Sequence, residues 1–85
     1  MKLNPIGPNQ TEISFRMSTN NGLTDFPVSL LFSYKTPVAC VMDGDRIKTA
    51  KKWSVTTSRH VNAWLDGATA REMPQEWFDN LALQA

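Results

Sequence analysis

Five of the nine Lys and Arg residues of this 85-residue chain fall between positions 46 and 60 with no acid among them: Arg46, Lys48, Lys51, Lys52 and Arg59. The flanks carry the opposite sign. Residues 1–45 set Lys2, Arg16 and Lys35 against Glu12, Asp25, Asp43 and Asp45, and residues 61–85 set Arg71 against Asp66, Glu72, Glu76 and Asp79. The formal net charge of +1 is therefore a cancellation of −1, +5 and −3 along the chain. The basic segment also holds Trp53 and a run of hydroxyl residues, Thr56, Thr57 and Ser58. Cations neutralise phosphate, hydroxyls donate to it, and an indole stacks on a base, so one reading is a nucleic-acid-facing edge. The other is structural. Lysines at 48, 51 and 52 guard a strand edge against pairing, and Trp53 and Val55 belong to the core. The near-neutral total falls short of the strong basicity of a dedicated nucleic-acid-binding domain.

The remaining reactive residues form no recognisable catalytic set. His60 is the sole histidine, and Ser54, Ser58 and Asp66 lie near it in sequence. No nucleophile elbow or oxyanion loop accompanies them, so no catalytic residue is assigned. One Cys and one His do not make a zinc site, and Cys40 has no partner for an intramolecular disulfide. Asp43 and Asp45 flank Gly44 and are explained by a turn. No glycine-rich phosphate loop occurs, and no cofactor or metal is expected.

These residues need a scaffold, and its signals are local. Asn21-Gly22 favours a two-residue hairpin turn. Folding there pairs Ile13 with Leu30, Phe15 with Val28 and Met17 with Phe26, all apolar and on one face. Asp43-Gly44 repeats the device, pairing Cys40 with Ile47, Val41 with Arg46 and Val38 with Thr49. Apolar runs at 30–34 and 38–42 suit central strands covered on both faces. The prediction is a four-stranded antiparallel meander at about 11–19, 24–34, 37–42 and 45–55, after an irregular arm at 1–10 rich in Pro and Gly. From residue 56 the apolar period becomes helical. Val61, Trp64 and Leu65 mark a first helix, capped by Thr56, Thr57 or Ser58 and closed by Gly67 at C′. Pro74 at N1 opens a second helix with Trp77, Phe78 and Leu81 inward. The expected fold is α+β, one two-layer domain over residues 1–85 with both helices on one face of the sheet.

Size and composition narrow the function classes. A chain of 85 residues with 41% hydrophobic residues is one small folded domain. So small a core favours presentation of a surface over enclosure of a deep pocket. No apolar run approaches the ~20 residues of a membrane span. The N-terminal residues lack the apolar stretch of a signal peptide, so a cytoplasmic location is expected.

Three segments carry a resemblance. Thr36-Pro-Val-Ala-Cys40, Lys52-Trp-Ser-Val-Thr-Thr-Ser-Arg-His60-Val-Asn-Ala-Trp-Leu65 and Pro74-Gln-Glu-Trp-Phe-Asp79 resemble a family of small uncharacterised proteins common in tailed-bacteriophage genomes. A TPVA strand, an SVTTSRH segment and a PQE-type helix recur there at similar spacing. The resemblance implies a viral accessory or host-takeover factor in the host bacterial cytoplasm, with a host protein or defence complex as partner. On the residues alone, the expected working surface is a polar helix start beside a basic strand end: Lys48, Lys51, Lys52, Arg59, His60 and Asn62. Trp77 is a further interface candidate, and the strand at 45–55 offers an edge through which a homodimer could form.

Overall fold

In the computed structural model, residues 2–7, 9–18 and 25–83 are described. They form an α+β fold with six strands and two helices. The strands are β1 (Lys2–Gly7), β2 (Gln10–Ser18), β3 (Asp25–Ser33), β4 (Thr36–Met42), β5 (Asp45–Thr49) and β6 (Arg71–Met73). Helix α1 (Val55–Trp64) lies between β5 and β6, and α2 (Gln75–Ala82) follows β6. The sheet order is β1-β2-β3-β4-β5-β6.

The hairpin register follows the apolar pairing. Ile13 faces Leu30, Phe15 faces Val28 and Met17 faces Phe26. A slip of one residue would turn that set to the other face. The Asn21-Gly22 turn lies outside the described residues. At the second hairpin Asp43 and Gly44 have φ of 50° and 86°, the two left-handed positions of a type I′ turn. Cys40–Ile47 and Val41–Arg46 pair as expected, but the ladder stops at Ala39–Lys48, so Val38 and Thr49 do not pair. Val38 is an extra residue in β4, between the Leu31–Ala39 and Phe32–Pro37 pairs. This bulge accommodates Pro37, which has no N–H for the ladder.

Four expectations about the sheet are corrected. Residues 2–7 are a strand and not part of an irregular arm, because an edge strand tolerates Pro5 where the register shifts between Pro5 and Gly7. The sheet has six strands and not four. It is mixed, because β6 pairs parallel to β5 through Ile47–Arg71, Lys48–Glu72 and Thr49–Met73. The strand expected at 45–55 ends at Thr49 and is not an edge, since β6 covers it. The homodimer edge expected there is already occupied by the chain itself.

The helices also sit differently from the expected two-layer arrangement. One core contains Val28, Leu30, Cys40 and Ile47 against Phe78 and Leu81 of α2. The other contains Leu31, Val38 and Ala39 against Val61 and Leu65 of α1. Leu30 and Leu31 are neighbours and point to opposite sides of the pleat, so each helix covers its own face and the fold has three layers. A parallel β5–β6 pair requires a crossover, and α1 supplies it. The cap of α1 is Ser54, upstream of the three expected candidates, with its side chain accepting from the Thr57 N–H. Pro74 is the N-cap of α2 and not N1. Asp66 takes the left-handed C′ position expected for Gly67, with φ of 55°, and Gly67 follows at 70°. The Gly67 and Asp66 amides donate to the Asn62 and Ala63 carbonyls, a Schellman closure.

Among the described residues no helix is long and apolar enough to cross a membrane. Cys40 is fully buried, and burial pushes its thiol up to about 12, with Arg71 offsetting part of the rise. Below about pH 9 the thiol is neutral whether the chain is folded or not. Between pH 9 and about 12 only the unfolded chain ionises there, so this group lowers stability progressively as the pH rises across that window. In the native protein Cys40 is expected to resist iodoacetamide at pH 8 and to react once urea unfolds it; rapid native alkylation would contradict its burial. Leu30→Ala should cost ~2–5 kcal/mol in urea unfolding, and a loss below ~0.5 kcal/mol would contradict its place in the core.

Candidate functional site

The strap between β5 and α1, residues 50–54, carries Lys51, Lys52 and Trp53, and a short set of hydrogen bonds shapes it. The Ala50 N–H donates to the Met73 carbonyl at 2.8 Å. The Lys51 N–H donates to Thr49 Oγ1 at 3.2 Å. Gln75, the first residue of α2, gathers the rest. Its Oε1 accepts from Thr49 Oγ1 at 2.8 Å and from Trp53 Nε1 at 3.2 Å. Its Nε2 donates to the Pro37 carbonyl at 2.7 Å and to Asp79 Oδ1 at 3.1 Å. One side chain thus ties the strap to β4 and fixes the indole of Trp53. That indole is 38% exposed and not part of the core, and Lys51 Nζ lies 4.3 Å from its ring centroid. This is cation–π geometry.

Beyond Trp53 the helix is anchored from below. Ser33, 2% exposed, lies within 2.8 Å of His60 Nδ1 and 3.1 Å of Thr57 Oγ1. Ser54 Oγ donates to Thr57 Oγ1 at 3.4 Å and accepts from the Thr57 N–H at 3.2 Å. The hydroxyls form one connected chain from Ser54 through Thr57 and Ser33 to His60. Among the described residues no buried side-chain polar atom lacks a partner. The chain fixes α1 to β3. His60 meets Ser33, which sequence reasoning did not single out, and not the Ser54, Ser58 or Asp66 considered from the sequence.

Two cavities flank Trp53. The first, about 220 Å³, is walled by Lys48, Lys51, Lys52, Ser58 and Asn62, with Glu72 the sole acid in its lining. The second, about 230 Å³, is walled by Tyr34, Thr36, Val38 and Ser54, with Ser33 and Thr57 at its base. Trp53 and Thr57 belong to both walls. The positive end of α1 reinforces the first cavity, since its first turn carries no acidic residue.

Of the residues expected at the working surface, Lys48, Lys51, Lys52 and Asn62 come together in the cationic cavity. Arg59 is exposed on α1 outside either cavity lining. His60 is half-buried and committed to Ser33. Trp77 lies on the opposite face of the sheet, half-buried and edge-on to Phe78 at 4.9 Å and 85°. Among the described residues no three of His, Cys, Asp and Glu gather as metal ligands would. Sequence reasoning missed Ser33, Tyr34 and Gln75, because their partners lie far along the chain. The one available signal for Gln75 was its place in the Pro74-Gln-Glu segment.

Residues 1–80 match the family described as "Family of unknown function (DUF8033)". The chain belongs to that family. No curated protein and no solved structure matches it. The site of this DUF8033 chain thus brings three lysines and an indole around one cavity of about 220 Å³.

Ser33→Ala should cost ~1–3 kcal/mol in urea unfolding, because Thr57 and His60 lose a buried partner. A cost near zero would contradict the anchoring role. Gln75→Ala should move the Trp53 indole N–H resonance in a ¹⁵N–¹H spectrum while the Trp64 indole, which donates to Glu12 Oε1 at 2.9 Å, stays in place. An unmoved Trp53 signal would show that Gln75 does not position it.

Proposed function

We propose that the protein is a non-enzymatic binding module that engages an acidic surface of a partner protein through the cationic cavity beside α1. The observation that carries this reading is the convergence of Lys48, Lys51 and Lys52 with Trp53 and Asn62 around one cavity of about 220 Å³. Three cations face one acid there, so an anionic group gains attraction in a partly desolvated recess. Extended nucleic acid is less well supported. A phosphate track needs a stripe of cations, whereas Glu72 lines this cavity and Arg46 and Arg59 lie outside its lining. In this reading Ser33 and His60 hold the helix, and no catalytic role is proposed for them.

The resemblance to small tailed-phage proteins supports a host protein or defence complex as the partner, met in the host bacterial cytoplasm. In that setting the protein acts as an accessory or host-takeover factor and needs no cofactor.

Wild type and the Lys51→Glu/Lys52→Glu variant, both checked for native circular dichroism, should differ in quantitative affinity capture from host lysate. The expected result is a defined acidic protein recovered by wild type and reduced tenfold or more by the variant. Identical recoveries would overturn the assignment of this surface. A low-salt gel shift separates the nucleic-acid alternative. Single- and double-stranded probes should give no shift. A shift that weakens by about 0.9 log unit per phosphate contact per log unit of salt would favour nucleic acid instead.

A further inference from the structure

The second cavity extends the reading just given, on which the following rests. It adjoins the cationic cavity across Trp53 and has a different character. Among the described residues no charged one lines it. Its walls are Tyr34 and Trp53, with Val38 beside them. Its deepest hydroxyls are already engaged, Ser33 with Thr57 and His60, and Ser54 with Thr57. The Trp53 indole N–H is likewise given to Gln75. A nucleobase is read through several free donors and acceptors along its edge, and here the Ser33, Ser54 and Thr57 hydroxyls and the Trp53 N–H are given to the fold. An apolar or aromatic side chain needs none.

The rim points the same way. Tyr34 is 52% exposed and Val55, next to the cavity-lining Ser54, is 69% exposed. Exposed apolar side chains beside a recess supply area that an apolar group of a partner can cover. Tyr34 also holds its place in a left-handed conformation, φ 59°, with its N–H donating to the Asn9 carbonyl at 2.6 Å. The backbone that carries the aromatic wall is thereby held in place.

We infer that the two cavities act together as one bipartite socket for a peptide segment that presents an aromatic or large apolar side chain next to a carboxylate. The apolar side chain enters between Tyr34 and Trp53, and the carboxylate meets Lys48, Lys51 and Lys52. Trp53 is the shared wall and sets the separation of the two groups. Charge complementarity selects the acidic neighbour, and the uncharged recess selects the ring.

The test is a ¹⁵N–¹H NMR titration of the whole protein with four ligands: the capped peptides Gly-Glu-Phe-Glu-Gly, Gly-Glu-Ser-Glu-Gly and Gly-Ser-Phe-Ser-Gly, and the hexanucleotide of thymidine. The Glu-Phe-Glu peptide should shift resonances of both Tyr34–Thr36 and Lys48–Lys52 and bind about tenfold more tightly than either peptide lacking one group. Tyr34→Asn keeps a residue that tolerates the left-handed backbone but removes the ring. It should bring the affinity for Glu-Phe-Glu down to that for Glu-Ser-Glu and leave the latter unchanged. Equal affinity of wild type for those two peptides would overturn the bipartite socket and leave the cationic cleft standing. Shifts with the oligonucleotide alone would overturn the peptide assignment in favour of nucleic acid. No response to any of the four would overturn both the socket and the cleft.

Discussion

The hydroxyl of Ser33 lies beneath α1 almost without water contact, and its hydrogen bonds to Thr57 and His60 decide where that helix sits on the sheet. A buried hydroxyl with no partner costs ~1–3 kcal/mol, so the helix is held where the polar chain closes. The apolar contacts of Val61 and Leu65 with Leu31, Val38 and Ala39 supply attraction on that face but little direction. Polar satisfaction supplies the register. Because Ser54 both caps α1 and joins this chain, the strap that precedes it is fixed at the same time. The cavities on either side of Trp53 follow from that one arrangement.

How much of this could be read from the residues depended on range. The β2–β3 register is written in the alternation of Ile13, Phe15 and Met17 against Val28 and Leu30, because period-two burial is a local property. Asp43-Gly44 announces its turn because few residues accept positive φ in succession. Strand β6 was not legible: three residues, Arg71-Glu72-Met73, show no period, and only the exposed ladder of β5 makes them a strand. The Pro-containing β1 was hidden for the converse reason, since Pro5 argues against a strand everywhere but at an edge. The adjacent residues Leu30 and Leu31 already signalled burial on both faces, and that signal was at odds with placing both helices on one. The lysines of the cleft were legible as a basic run. Ser33, Tyr34 and Gln75 were not, because their roles arise from contacts 22 to 38 residues away in sequence.

The division of labour across the sheet is clear in physical terms. Beneath α2, Phe78 and Leu81 close a core with Leu30, Cys40 and Ile47 that is wholly apolar apart from an un-ionised thiol. Above, α1 rests on a smaller apolar core and a polar chain, and carries the cationic and aromatic features at its start. Each face thus has its own buried apolar cluster, and the cationic and aromatic features lie on the α1 side. Gln75 links the two, since it begins α2 yet holds Trp53 and Thr49 in the strap.

A matched pair of charge reversals tests most directly whether the cleft, and not the basic segment at large, is the working surface. Lys51→Glu and Arg59→Glu change the net charge equally, both residues are exposed, and only Lys51 lines the cavity. Affinity for the captured acidic partner, measured by calorimetry at fixed salt, should fall at least tenfold for Lys51→Glu and less than threefold for Arg59→Glu. Equal losses from the two variants would mean that diffuse charge and not the cleft governs binding.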